Sequence, residues 1–373
     1  MTDEAQGHEV LRTSSLRSGG RARKPVYDEV ALLRRLEKEY DLGDWLSWRP
    51  TESGASNDSW YVETEYADVV LRRSHDLKTE QSAEFERALI EYLVARGFPA
   101  PPVVPTRTGA GAVVVDGLVH MVMRRLPGGH FDRDSPDHLA LSARGLGRFH
   151  TLVAELPTDQ RPEDSSSLLA LTPAARERLR TAFAVVAPLL PAKQRADAQC
   201  DLDRLLDDMT QVHDQLGGRL DELTYLVTHG SYGPTSVLLE DGHLSGVVDF
   251  DRAAHDLVSF DLAYATWVFC APSALRRRSL GIEPVRLATF LSHYRASTPV
   301  TTTDLQALPL ALLARRLARV TKKAENLLTK HDLEPREAEH ADKFARTLAA
   351  EATQSRWIGA HLPDLSRTVR PVS

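Results

Sequence analysis

At Pro127-Gly128-Gly129 the character of the chain changes, and that change limits what the chain can build. Before it, short β-branched and aromatic runs are separated by turn residues: "WLSWRP" (45–50), "SWYVETEY" (59–66), "DVVLRRS" (68–74), "GAVVVDG" (111–117) and "LVHMVMRRL" (118–126). Runs of that length and makeup read as strands. Two amphipathic patterns lie among them. "YDEVALLRRLEKEY" sets Val30, Leu33, Leu36 and Tyr40 at helical spacing. "TEQSAEFERALIEYLVARG" sets Phe85, Leu89, Tyr92 and Leu93 on one stripe, with Gly97 as its stop. After Gly129 the patterns are long and helical, from "SPDHLALSARGLGRFHTLVAEL" to the stretches 303–329 and 333–358. One exception, "SVLLEDGHLSGVVDF", is hairpin-like about Asp241-Gly242. The expectation is an α+β protein of two lobes. Residues 26–125 form a small strand-rich N-lobe, and residues 126–373 form a large, mostly helical C-lobe. Residues 1–25 are polar and aperiodic and read as a disordered tail.

Bulk properties exclude several functions. The net charge of −6 over 373 residues offers nothing to nucleic acid or an anionic membrane. Cys200 and Cys270 stand in no ligand spacing, which argues against zinc and against a disulfide framework and for a reducing cytoplasm. No apolar run approaches the roughly 20 residues that span a bilayer.

The stretch "LVTHGSYGPTSVLLEDGHLSGVVDFD", residues 226–251, carries the chemistry. It holds a His-Gly turn at His229-Gly230, then the hairpin, then Asp249-Phe250-Asp251, and "FDLAYA" with Asp261 follows. Upstream, "SGASNDSWYV" supplies a turn, "VVLRRS" a strand with Arg72, and "EFERALIEYLVARGFPAP" a helix with Glu86. This ordered set, over roughly residues 30–350, resembles the aminoglycoside phosphotransferase, homoserine kinase-like and choline kinase-like branch of the protein-kinase fold. The resemblance implies a nucleotide cleft between the lobes. Gly54 and Asn57 would cover the phosphates, and Arg72 would meet them in a pair with Glu86, Glu84 being its competitor. Main chain near Met121–Met123 would meet the base. Asp249 would be a metal ligand, and Asp261 would brace the loop.

The family pattern then fails at two places. Where it has an Asp to take the acceptor's proton, this chain has Ser231; where it has an Asn ligand, this chain has Ser236. A hydroxyl without a neighbouring base is not ionised at neutral pH, and general base help is worth about 10²–10⁴ in rate. Asp251 and Asp256 are the candidate substitute acids, but relatives carry a second acid near Asp251 without using it as the base, and two residues along a strand end point in opposite directions. The expectation is therefore a kinase-fold protein that has lost ATP-dependent phosphoryl transfer and needs no cofactor. Its cleft would be reused for peptide or small-molecule binding, as a thioether-forming or accessory component of peptide natural-product biosynthesis with a partner enzyme. His229, Ser231, Tyr232 and Ser236 would then be the groups of a repurposed loop. The alternative is an active phosphotransferase that uses ATP and magnesium on a small hydroxylated molecule or a peptide Ser/Thr.

Overall fold

Alternation along the strands of the smaller lobe decides what each of its faces carries. The structure, a computed structural model, describes residues 28–51, 57–74, 78–157, 172–272, 280–298, 300–329 and 337–369. The tail expected at 1–25 and the turn residue Gly54 lie outside them. Helix α1 (Glu29–Glu37) leads into β1 (Trp45–Pro50), β2 (Asp58–Thr64) and β3 (Asp68–Arg73). Helix α2 (Glu80–Ala95) follows, then β4 (Val113–Val115) and β5 (Leu118–Arg124). The strands form one antiparallel sheet in the order β1-β2-β3-β5-β4. Val69 and Leu71 of β3 and Val122 of β5 face α1, in a core with Leu33, Leu36, Tyr40, Trp45 and Trp60. Their neighbours Arg72, Met121 and Met123 face the other way, towards α2, because side chains alternate across a strand. Register aligns Arg72 with Met121 and Val70 with Met123.

Both helices of this lobe sit where the sequence places them, with one rotation. Asp28 caps α1 by accepting from Ala31 N at 3.1 Å. Its buried face is Leu32, Leu33 and Leu36, while Val30 points outward with 56% exposure, so the expected stripe is turned. Thr79 and Ser82 close a capping box on α2. At its far end Gly97, with φ of +71°, lets Phe98 N reach Leu93 O at 3.0 Å and its own N reach Val94 O at 2.9 Å. That pair of bonds is a Schellman stop, and it aims the chain back towards the C-lobe. Leu89, Ile90 and Leu93 are buried against that lobe, each stabilising by about 1.5–3 kcal/mol.

The larger lobe begins after β6 (Gly129–His130). It contains α3 (Pro136–Ala154), α4 (Pro173–Val186) and α5 (Ala192–Gly217). Strands β7 (Tyr225–Thr228), β8 (Val237–Glu240), β9 (His243–Val247) and β10 (Ala254–Leu257) follow. The chain ends with α6 (Val258–Phe269), α7 (Pro284–Arg295), α8 (Thr302–Thr329) and α9 (Glu337–Val369). The hairpin of β8 and β9 turns at Asp241 and Gly242, both with positive φ, as a two-residue primed turn requires. The four-residue pair β7–β10 was not legible in the sequence, and α9 runs beyond the expected residue 358 through Pro363. Between β7 and β10 lie the His-Gly turn, the hairpin and Asp249, so the short pair clamps both ends of the candidate site.

Candidate active site

Glu86 collects two cations in the wall of the N-lobe. Arg72 Nη2 lies 2.6 Å and Lys78 Nζ 2.9 Å from the same oxygen, Oε2. All three side chains are buried. Burial works against the Glu86 carboxylate, but Arg72 and then Lys78 hold it ionised, below the usual carboxylate range. Burial likewise opposes charge on Arg72, yet Glu86, Asp251 and Asp249 keep its pKa above the ordinary guanidinium value. Glu84 faces away and pairs with Arg87. Lys78 escaped the sequence reading because it precedes the helix in a segment with no periodicity. Buried atoms Arg72 Nε and Glu86 Oε1 have no hydrogen-bond partner, which leaves polar capacity unused in the cluster.

Asp249 ends β9's extension in the left-handed region, with φ of 73° and ψ of 52°. Few non-glycine residues adopt this conformation, and its cost is borne at a functional turn. A 3₁₀ turn over Phe250–Arg252 follows immediately. The expectation that Asp249 and Asp251 diverge is thereby corrected: the chain has left the strand, and the two carboxyl groups lie near enough for the charge of one to act on the other. Asp249 opens onto the cleft. The walls around it strip away water, and with Asp251's charge they push its pKa up to about 6, against the pull of Arg72. Asp251 Oδ2 accepts from Asn57 Nδ2 at 2.9 Å, which joins the two lobes, while its buried Oδ1 has no partner.

The loop itself is held from below. Asp261 accepts from His229 N at 2.8 Å and from Gly230 N at 2.9 Å, and His150 Nε2 stands 3.1 Å from it. Despite burial, His150 keeps Asp261 below the usual carboxylate range. Arg315 of α8 donates to Gly230 O at 2.9 Å, a contact that sequence reasoning missed because 85 residues separate the partners. Gly230 has φ of +76°, and a Cβ there would lie 2.4 Å from Arg252 O. Only glycine fits.

Several expected site residues take other roles. Tyr232 is fully buried, and its hydroxyl donates to Ser142 O at 2.8 Å. Burial raises its pKa further, so it is a core tether and not an acid open to substrate. Ser236 is buried and donates to Ser231 O at 3.0 Å, turned into the loop instead of towards Asp249. Met123 pairs with Val70, and its neighbours Val122 O and Arg124 N bond Val104 N and Pro102 O, both at 2.8 Å. The main chain expected to meet a base there is thus bonded within the lobe. Ser231 remains half-exposed at the cleft edge, and His229 lies fully buried behind it.

No group of three or more His, Cys, Asp or Glu residues able to hold a metal occurs among the described residues. Two carboxylates, one with an unpartnered oxygen, nevertheless suit a hard cation that takes its remaining ligands from phosphate and water. No helix of the described residues is long and apolar enough to cross a membrane.

Comparison with known proteins agrees with this geometry. The model of the phosphotransferase enzyme family matches residues 47–282. Homoserine kinase of Methylobacillus flagellatus is 26% identical over 331 residues, covering 87% of this chain and 95% of the relative. Homoserine kinase of Methylobacillus glycogenes is 27% identical over 275 residues, 73% of this chain and 77% of its own. Among solved structures, a microcompartment-associated aminopropanol kinase superposes with a TM-score of 0.61 at 18% identity, over 91% of this chain and 99% of that one. An aminoglycoside phosphotransferase of Alicyclobacillus acidocaldarius gives 0.59 at 17%, over 94% and 98%. At these identities the structural likeness establishes the kinase-like fold alone.

Proposed function

The chain belongs to the phosphotransferase enzyme family, and from that premise we propose that its cleft moves the terminal phosphoryl group of a nucleoside triphosphate to a small hydroxylated acceptor. The observation that carries this reading is the buried Arg72–Lys78–Glu86 cluster in the N-lobe wall together with the Asp249–Asp251 turn, which Asn57 ties to that lobe. A cleft with no anionic ligand to hold gains nothing from a paired acid of raised pKa beside a buried cation. Asp249 and Asp251 would hold a magnesium ion, which when bound neutralises charge on the phosphate oxygens. Arg72 and Lys78 supply positive charge to the same phosphates, and Glu86 fixes both cations in place. The N-lobe, 26–125, serves the nucleotide and the C-lobe, 126–373, the acceptor. That ATP and magnesium take part follows from this reading, so the expectation of no cofactor is set aside. Relatives named homoserine kinase make hydroxylated amino acids the first acceptors to try.

A second reading is favoured by Ser231 and Ser236 alone: a cleft that binds a peptide or metabolite, with or without a partner enzyme, and no longer transfers phosphate. Calorimetry with MgADP and ADP release from MgATP, with hydroxylated amino acids added, separate the two. Binding with turnover supports the first reading. A chain that ignores nucleotide at millimolar concentration sinks it and leaves the second.

A further inference from the structure

Ser231 Oγ stands 3.4 Å from His229 Nδ1 and 3.3 Å from the carbonyl oxygen of Asp249. The ring's other nitrogen, Nε2, lies 3.1 Å from Val248 O. A carbonyl can only accept, so Nε2 carries the proton and Nδ1 presents a bare lone pair; the one Ser231 hydroxyl proton turns either to that lone pair or to the Asp249 carbonyl, and the relay uses the first orientation. The sequence alone gave Ser231 no neighbouring base; the fold supplies one. His229 cannot reach an acceptor itself, because it is wholly buried among Phe149, Tyr232 and Phe250. Ser231 is half-exposed and stands next to both the imidazole and the Asp249 backbone. Asp261 and Arg315 grip the backbone of residues 229 and 230, which fixes the distance between hydroxyl and imidazole.

We propose that Ser231 and His229 form a two-step proton relay that replaces the family's single carboxylate base, an inference that rests on the phosphotransferase reading above. The acceptor's oxygen bonds to the γ-phosphorus as the bond to the β–γ bridging oxygen breaks, and that electron pair leaves with the nucleoside diphosphate. The acceptor's proton passes to Ser231 Oγ while the Ser231 proton passes to His229 Nδ1. After product leaves, the imidazolium returns its proton to water through the same hydroxyl. Burial weakens His229 as a base, and Asp261's carboxylate works in the other direction. A weak base suffices, because an ordinary aspartate of pKa about 4 fills the role in kinases.

The test uses the full chain, with water as acceptor and MgATP hydrolysis as readout, beside MgADP binding by calorimetry. Ser231→Ala is expected to lower kcat by about 10²–10³ with little change in KM for ATP. Ser231→Thr, which keeps the hydroxyl, is expected to restore most of the rate. His229→Gln keeps a donor for Val248 O and is expected to cost about as much as Ser231→Ala. The double variant should be no slower than either single, because both act on one proton path. Ser231→Asp supplies a carboxylate directly, so adding His229→Gln to it should cost little. The relay is overturned if Ser231→Ala keeps its kcat within about threefold, or if the two single losses multiply in the double variant. Wild type that binds MgADP but never hydrolyses ATP also overturns the relay, while leaving the nucleotide site standing. Failure to bind MgADP removes the phosphotransferase reading itself.

Discussion

Asn57 Nδ2 donates to Asp251 Oδ2 at 2.9 Å, and 194 residues of chain separate the two. One immediately precedes β2 and the other lies in the 3₁₀ turn after Asp249, so this side-chain bond ties the N-lobe sheet to the Asp249 turn. Asn57→Ala leaves a partly buried carboxylate with one fewer donor. The expected loss is about 1.5–3 kcal/mol, the range for hydrogen bonds to charged groups. Urea unfolding should show it as a lower midpoint with an unchanged slope.

Glu86 and Glu84 lie two residues apart on α2 and should behave very differently. Glu86→Gln strands Arg72 and Lys78 as buried cations and should cost about 3–5 kcal/mol. Glu84→Gln removes an exposed pair with Arg87 and should cost less than about 1 kcal/mol. Equal midpoints for the two variants in denaturant would refute the buried cluster.

The Asp249–Asp251 pair makes cation binding depend on pH. Asp249's folded pKa of about 6 lies above its ordinary value near 3.8. The proton is therefore still bound in the folded protein at pH 5 and must leave when a cation enters. Stabilisation by MgADP should rise between pH 5 and pH 7, with proton uptake by buffers of different ionisation heat as the second readout. Asp251→Asn should flatten the rise, since it removes the neighbouring charge.

His120 makes folding itself depend on pH. It is buried in β5, its Nε2 has no partner, and burial pushes its pKa down to about 4. The unfolded chain takes up a proton near pH 6.5 and the folded one only near 4, so stability falls as pH drops through that window. The fall should be at most about 3 kcal/mol. His120→Gln should remove most of it in urea titrations from pH 7 to pH 4. Asp249 works the other way between pH 4 and 6, and the Asp249→Asn background should steepen the wild-type loss.

Tyr232→Phe separates a tether from a catalytic acid. Losing the bond to Ser142 O should cost about 0.5–1.5 kcal/mol. MgATP hydrolysis should stay within about threefold of wild type. A loss of a hundredfold at unchanged stability would return Tyr232 to the chemistry.

What the sequence reveals here depends on whether a residue's neighbour is set by a repeat or by a turn. Arg72 opposite Glu86 is legible because a strand period of two and a helical stripe fix both faces before any tertiary contact. Gly97 and the Asp241-Gly242 turn are legible for a similar reason, since each backbone conformation has its preferred residues. Lys78 is not, because no period governs residues 75–78. Asp251 was misread because the strand rule was carried through Asp249, where φ turns positive without a glycine to announce it. Arg315 and the His229–Ser231 pair belong to a third kind. Arg315 meets its partner by packing between elements far apart in the chain, and the His229 ring is turned by its bond to Val248 O across the hairpin, so nothing local records either choice.

The bond from Arg315 to Gly230 sets an order of events during synthesis. The loop leaves the ribosome 85 residues before the guanidinium that holds its carbonyl. By then the N-lobe sheet, α2 and Asp249 have all emerged, so the nucleotide side of the cleft can form while the loop still lacks its grip. A chain stopped before α8 would carry every residue of the phosphate site and hold its His-Gly turn from Asp261 and Val248 but without the grip on Gly230 O. Competence to bind nucleotide and competence to turn it over would then be acquired at different chain lengths, with the second arriving late.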